Sequence, residues 1–285
     1  MIIYKDNIIL DSHLPFRITR HVLKREDNLA ECFHYHDFCE ITYVESGQGS
    51  YKVNGRILKM NPGDLIIFNN VEPHGWMVED ETMTVLVMTF STDFVSSPTD
   101  ALSQKYLKPF AERGSNFQNR ISGEDANVEV IYALMLEEFE EYHNKDAGYE
   151  CMIKADTLKI LTLLLRHYRD DESITAGGRK LDDKIKCMHR LEQAVYYINT
   201  HYAEKLMLED VASIVYMSPN YFSTYFHNVT GKTFSEYITL LRLQRAGELR
   251  SSTDLSVSDI ALECGFRNLS NYYRLQKKYG KSVCI

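Results

Sequence analysis

From residue 30 to about residue 95 the chain alternates short apolar runs with turn-forming residues, the pattern of closely joined strands. Ile41-Thr42-Tyr43-Val44, Ser50-Tyr51-Lys52-Val53, Asp64-Leu65-Ile66-Ile67-Phe68 and Met83-Thr84-Val85-Leu86-Val87-Met88 are rich in β-branched and aromatic side chains, which fit a pleated surface. Gly47-Gln48-Gly49, Asn54-Gly55 and Asn61-Pro62-Gly63-Asp64 punctuate them. Asn54-Gly55 is the sharpest of these signals, because both residues tolerate the positive φ of a tight hairpin turn. Short strands so joined predict a small barrel or sandwich.

Near residue 128 the period changes to that of a helix. Ile131, Leu134, Met135, Phe139 and Tyr142 share one face, and Glu137, Glu138, Glu140 and Glu141 are expected to form a solvated one. A second helix, from about Met152 to Tyr168, is apolar nearly all round between Leu158 and Leu165. Such a helix needs cover on two sides: the barrel and a partner subunit, or the interior of one monomer. Asp170 to Asp183, polar and containing Gly177-Gly178, reads as a linker, and everything after it reads as helix. The expected fold class is α+β in two domains. Residues 1–169 form a β-barrel with a helical hairpin, 170–183 the linker, and 184–285 an all-α domain.

Length and composition agree with two soluble domains. At 285 residues the chain exceeds the usual single core, and no apolar run approaches the ~20 residues of a membrane span. Met1-Ile2-Ile3-Tyr4-Lys5-Asp6 lacks a basic leader and a cleavage site, so a cytoplasmic location is expected. Cys32, Cys39, Cys151, Cys187, Cys264 and Cys284 form no CxxC pair and are expected to be reduced, mostly buried thiols. The net charge of −8 looks wrong for a nucleic-acid binder until it is divided. Residues 184–285 carry 13 Lys and Arg against 9 Asp and Glu, a balance of +4, which leaves −12 for residues 1–183. A basic C-terminal domain can meet phosphates while the acidic remainder suppresses indiscriminate binding.

The C-terminal half contains a diverged repeat. Leu208-Glu209-Asp210-Val211-Ala212 is echoed by Val257-Ser258-Asp259-Ile260-Ala261, and Ser218-Pro219-Asn220-Tyr221-Phe222 by Asn268-Leu269-Ser270-Asn271-Tyr272. Each copy has the physics of a helix-turn-helix. In the first, small Ala212 permits close helix approach, Tyr216-Met217 forms the turn, Ser218 is an N-cap, and Pro219 suits the first helical position. Phe222, Phe226 and Val229 then anchor a second helix whose Asn220, Ser223, Thr224 and His227 are free to enter a major groove. The second copy turns at Cys264-Gly265-Phe266, with Gly265 in the left-handed region, and exposes Ser270, Asn271, Tyr273 and Arg274. Lys232, Lys277 and Lys278 are placed for phosphates. Phe234 to Arg250 reads as one helix between the units, with Tyr237, Leu240, Leu241 and Ala246 as core contacts.

Phe226-His227-Asn228-Val229-Thr230-Gly231-Lys232-Thr233-Phe234-Ser235-Glu236-Tyr237, then Arg242-Leu243-Gln244-Arg245-Ala246 and Asp259-Ile260-Ala261-Leu262-Glu263-Cys264-Gly265-Phe266, resemble the AraC/XylS family of transcription regulators over roughly residues 188–285. The resemblance implies a seven-helix domain whose two recognition helices enter successive major-groove faces. One departure stands out: Gln276 occupies the aromatic position that Phe226 fills in the first unit, with the spacing to Gly280 one residue short. A buried Gln there would cost free energy unless paired.

His34-Tyr35-His36-Asp37-Phe38-Cys39-Glu40, Gly47, Pro62-Gly63-Asp64 and Pro73-His74 resemble the two motifs of the cupin superfamily. Positions 34, 36 and 40 share strand parity, so their side chains face one side, joined by His74 from a later strand. Such a set can hold Zn, Fe, Mn or Ni, or can bond a small polar effector at a barrel mouth lined also by Trp76. The effector is the preferred reading, with no cofactor expected.

No GxGxxG, Walker-type, HExxH or GxSxG motif is present. The expectation is an effector-responsive, sequence-specific DNA-binding regulator, not an enzyme. Its partners are double-stranded DNA, a small molecule that family analogy makes a sugar or related metabolite, a second copy in a homodimer, and RNA polymerase if the chain acts as an activator. The alternatives are a metal-dependent cupin enzyme with a helical appendage and a constitutive DNA binder with an inert barrel.

Overall fold

A computed structural model of the chain describes residues 3–6, 8–28, 33–53, 56–69, 72–96, 105–111, 117–169 and 181–279. Ten strands form its N-terminal half: β1 (Ile3–Lys5), β2 (Phe16–Lys24), β3 (Phe33–Tyr35), β4 (Cys39–Ser46), β5 (Gly49–Val53), β6 (Arg56–Met60), β7 (Leu65–Phe68), β8 (His74–Val78), β9 (Thr82–Phe90) and β10 (Arg120–Ile121). They make two five-stranded sheets of order β1-β3-β8-β5-β6 and β10-β7-β4-β9-β2. The four sequence-read strands fall in β4, β5, β7 and β9. Asn54-Gly55 lies outside the described residues, with Val53 pairing Arg56 on either side of it.

The second sheet is buried on both faces, so its strands read as nearly continuous apolar runs. Val44, Ile66, Phe68, Met83 and Val85 face the other sheet together with Tyr51 and Val53. Ile41, Leu65, Ile67, Leu86, Met88 and Phe90 face outward, under a helical hairpin. That hairpin is α3 (Ala126–Asn144) and α4 (Tyr149–His167), preceded by short α1 (Thr92–Val95) and α2 (Lys108–Ala111). Asp125 caps α3 by accepting from the Asn127 N–H at 2.8 Å.

Two expectations for the hairpin change. Glu138 belongs to no solvated face: it is fully buried and accepts a 2.6 Å hydrogen bond from the Thr157 hydroxyl of α4. Of the apolar residues for which a partner subunit and the monomer interior are both open in the sequence, Leu161 packs inside its own monomer, as do Ile160 and Leu164, whereas Leu158, Leu163 and Leu165 are only half-buried. Helix-to-helix packing, invisible in a single periodicity, decides both.

The C-terminal half is α5 (Leu181–His201), α6 (Leu208–Ile214), α7 (Pro219–Thr230), α8 (Phe234–Ser252), α9 (Val257–Glu263) and α10 (Leu269–Tyr279). The described residues thus hold six of the seven implied helices. α5 begins at Leu181, three residues inside the expected linker, and the rest of that segment lies outside the described residues. Among the described cysteines, Cys39 and Cys264 are buried, Cys187 is intermediate, Cys151 is exposed, and all four are free thiols. No helix among the described residues is long and apolar enough to cross a membrane.

Burial holds the Glu138 carboxyl well above its ordinary 4.5, and nearby Asp156 pushes it further in the same direction. An acid raised on folding contributes its full stability below the unfolded value and loses it as pH climbs towards the folded one. Glu138→Gln is therefore expected to stabilise the N-terminal domain at pH 7 by at least about 1 kcal/mol, a rise of ~2–4 °C in Tm. Thermal unfolding across pH should show that gain vanishing below pH 4.5; an equal gain at every pH would contradict this account.

Candidate functional site

The C-terminal helices build two helix-turn-helix units around separate cores joined by one helix. Val211, Ala212, Phe222, Phe226 and Val229 close the first core with Leu191, Ala194 and Ile198 of α5. Ile260, Ala261, Cys264, Phe266 and Tyr272 close the second. α8 contributes Phe234, Tyr237, Ile238 and Leu241 to the first and Leu240, Leu243 and Ala246 to the second. A capping box starts α8: Thr233 Oγ1 accepts from the Glu236 N–H at 3.3 Å, and Glu236 accepts from the Thr233 N–H at 3.0 Å. Arg242 then donates to the carbonyls of Tyr202 and Glu204, both at 2.7 Å, tying α8 to the end of α5.

The turns are those that the residue types require. Ser218 caps α7, accepting from the Tyr221 N–H at 3.4 Å, with Pro219 in the first turn. Tyr216 carries the positive φ of the first turn, 53°. Gly265 takes φ 77° in the second, where a Cβ would lie 2.3 Å from the Ala203 carbonyl oxygen. That turn therefore packs directly on the α5–α6 connection.

On α7, Asn220, Ser223, Thr224 and His227 are all exposed, one turn apart along a face that no other helix among the described residues covers. The Thr224 hydroxyl donates to the Asn220 carbonyl at 3.0 Å and keeps its lone pairs for an incoming donor. On α10, Ser270, Tyr273, Arg274, Lys277 and Lys278 are exposed, Asn271 is half-buried, and Lys232 is half-buried after α7. Gln276 is half-buried too, so the departure at this position leaves no amide stranded in a core. Tyr272 instead fills the second core, edge-on to Phe266 at 5.2 Å.

In the N-terminal half, β3 and β4 bring His34, His36 and Glu40 to the wall of a cavity of about 170 Å³ between the sheets. Trp76 and Tyr51 line the same space. His74 does not: it is fully buried behind the wall, stacked on Phe68 at 4.0 Å, with Nε2 3.5 Å from Glu40 Oε2. Glu40 also faces His36 Nε2 at 3.0 Å and accepts from the Thr42 hydroxyl at 2.7 Å.

Backbone carbonyls set the tautomers of two of these imidazoles. His36 Nδ1–H donates to Phe38 O at 2.9 Å, and His74 Nδ1–H donates to Glu72 O at 2.8 Å. Both therefore turn Nε2 towards one carboxylate, an acceptor against an acceptor unless a proton or a cation lies between. A proton on His74 would resolve its contact. The Glu40 carboxylate raises the His74 pKa, and the two imidazoles hold Glu40 well below the usual carboxylate range against its burial. His34 is pushed down to about 3, first by burial and then by His74, and stays neutral. The donor set also fits a divalent cation: the ligand atoms of His34, His36 and His74 lie within 4.8 Å of one another, and Nδ1–H bonds to carbonyls are how proteins orient metal-binding imidazoles.

Sequence reasoning missed the far wall of the cavity. Arg17, Thr19, His21 and Leu23 line it from β2, a strand outside the window in which alternation was sought. The signal was present: Phe16 and Ile18 are fully buried under the hairpin, and the polar residues between them face inward. Tyr35 is a second omission. It lies between His34 and His36 on β3 but joins the first C-terminal core, where Glu192 of α5 accepts its hydroxyl hydrogen bond.

With this geometry in view, residues 211–281 match a helix-turn-helix domain family and residues 26–143 match the AraC-like ligand binding domain. The HTH-type transcriptional activator RhaS of Enterobacter sp. (strain 638) is 25% identical over 248 residues, 86% of this chain and 83% of that protein. The melibiose operon regulatory protein of Escherichia coli (strain K12) is 24% identical over 274 residues, 90% of this chain and 82% of its own. Among solved structures, unsaturated fatty acid-bound ToxT from Vibrio cholerae strain SCE256 covers 92% of this chain and 91% of itself, at 14% identity and a TM-score of 0.43.

The exposed face of α10 yields a prediction about base reading. A guanidinium can bind both acceptors of a guanine edge, which contributes ~1–3 kcal/mol of discrimination. Arg274→Ala should relax base preference in one segment of the selected site, whereas Lys277→Ala should weaken all sequences evenly and flatten the salt dependence. Competition binding on base-substituted duplexes checks this. If Arg274→Ala changes nothing while Thr224→Arg alters preference, only α7 reads bases.

Proposed function

Because the chain belongs to the AraC/XylS family of transcription regulators, a DNA-binding helix-turn-helix domain behind an AraC-like ligand-binding domain, we propose that a small polar effector in the barrel controls how a homodimer presents its reading helices to DNA. The observation that carries this reading is the cavity between the sheets, with polar groups of known orientation on an apolar frame. His34, His36 and Glu40 are its hydrogen-bonding floor, Trp76 a flat apolar wall, and His74 the group that fixes Glu40. Asn220, Ser223, Thr224, Ser270, Asn271 and Arg274 contact bases in this reading, and His227, Lys232, Tyr273, Lys277 and Lys278 support them along the backbone.

Control requires that the effector favour one arrangement of the domains over another. β3 offers a route, since it carries His34 on its cavity side, with His36 directly after it, and Tyr35 on the side that reaches α5. The dimer rests on the hairpin, where Leu158 and Leu163 of α4 and Val130 of α3 line an open groove of about 520 Å³. RNA polymerase enters as a partner if the chain activates, as its relative RhaS is named to do.

His36→Ala and Glu40→Ala should each weaken the effector's influence on DNA affinity by about tenfold or more, with effector-free DNA binding unchanged. A screen of metabolites for compounds that shift DNA binding supplies the effector for this measurement. Wild-type responses in both variants would place the site elsewhere, and no response to any metabolite would favour an inert barrel. The imidazole cluster supports a second reading, a cupin enzyme holding a divalent metal through His34, His36, His74 and Glu40. Stoichiometric metal in the purified protein together with turnover would establish it.

The full chain should also sediment as a dimer at tens of micromolar, well above a typical specific dissociation constant. Leu158→Arg should shift it towards monomer. A wild-type monomer at that concentration would rule out the hairpin as the dimer interface.

A further inference from the structure

The far wall of the cavity carries one charge, Arg17, that no carboxylate among the described residues answers. Arg17 on β2 pairs with Thr89 on β9, and Thr89 pairs with Glu40 on β4, so the three form one row across the sheet and all line the cavity. Strand alternation settles their direction: Phe16 and Ile18 pack under the hairpin, which turns Arg17 and Thr19 inward. Adjacent strands are ~4.8 Å apart, so Arg17 and Glu40 rise from backbones roughly 10 Å from each other.

The two ends of this row differ chemically. Glu40 is already engaged by Thr42, His36 and His74. Arg17 is half-buried, and among the described residues no carboxylate lies within ion-pair distance of it. The contrast with its neighbours is direct. Arg20, on the other face of the same strand, closes on both oxygens of Glu45 at 2.7 and 2.8 Å, and Arg120 closes on both oxygens of Asp64 at 2.7 and 3.0 Å. A guanidinium drawn out of water without a partner is costly, and its planar fork matches a carboxylate. His21, which lines the same wall, has its pKa lowered by desolvation and then by Arg17 itself, so Arg17 is the stronger cation of this wall.

Resting on the reading of this cavity as the effector site, we propose that the effector is a small carboxylate bearing hydroxyl groups, with its carboxylate on Arg17 and its hydroxyls towards Glu40. The orientation follows from charge. Glu40 and Asp6, which also line the cavity, repel an anion and accept from hydroxyl donors, while Arg17 binds the carboxylate in two parallel hydrogen bonds. A neutral sugar of the same size would leave the guanidinium without a counter-charge. A hexuronate or an aldonate meets both ends.

The test uses the full-length protein and matched ligands: galacturonate and gluconate, their primary amides, and galactose and glucose. Calorimetry should give acids that bind at least tenfold tighter than their amides or the neutral sugars. Arg17→Gln should remove that preference by weakening acid binding at least tenfold and amide binding much less, and an unchanged thermal transition shows that the variant is folded. Arg17→Lys should fall between. Neutral sugars or amides bound as tightly as the acids, an acid preference that survives Arg17→Gln, or failure of every acid to bind would each overturn the inference. Neutral ligands whose binding is sensitive to His36→Ala would overturn it while leaving the effector site in place. The effector reading itself fails only if no metabolite changes DNA affinity.

Discussion

Helix α8 has to satisfy two hydrophobic cores at once, and the geometry of the DNA-binding half depends on that constraint. Its Phe234, Tyr237, Ile238 and Leu241 are locked into the first unit and its Leu240, Leu243 and Ala246 into the second. At 1.5 Å per residue the helix is a rigid spacer, and neither unit can rotate without exposing apolar surface from its own core. Two further contacts remove remaining freedom. Arg242 holds the carbonyls at the end of α5, and Gly265 lets the second turn sit against Ala203. Helices α7 and α10 are therefore presented as one preset pair.

The barrel solves a different problem. Its second sheet is covered by the helical hairpin on one face and by the opposing sheet on the other, so apolar residues dominate both faces. Polar groups inside such a frame are tolerated only when they are paired, and Glu40 illustrates how: two imidazoles with carbonyl-fixed tautomers and one hydroxyl surround it. The carboxylate end of the cavity is thus held in place by the protein's own groups. Tyr35 extends the same strand towards α5, so a change at the floor has a short mechanical path to the first helix of the reader.

Much of this was legible in the sequence where local chemistry decides the outcome. Ser218 and Pro219 mark the start of α7, and Gly265 marks a turn that a side chain would block. Tyr237, Leu240, Leu241 and Ala246 are core residues as their spacing predicts. The misses share a physical reason: each depends on a partner distant in sequence. Glu138 reads as solvated until α4 places Thr157 against it, and Leu161 reads as available until the sheet covers it. His74 shares the motif of the cavity residues but is turned behind the wall by stacking on Phe68. Arg17 escaped notice because a strand with a charged inner face has no apolar run, although its alternation with Phe16 and Ile18 is regular.

If α8 holds α7 and α10 at a fixed separation on DNA, the DNA site itself measures that separation. Selection of bound sequences from random DNA by the full-length protein, followed by footprinting on the selected site, reads it directly. Each monomer should protect two segments centred about one helical turn apart, roughly 34 Å, on one face of the duplex. A single protected segment per monomer, or two whose spacing varies freely among selected sites, would contradict a rigid pair of readers.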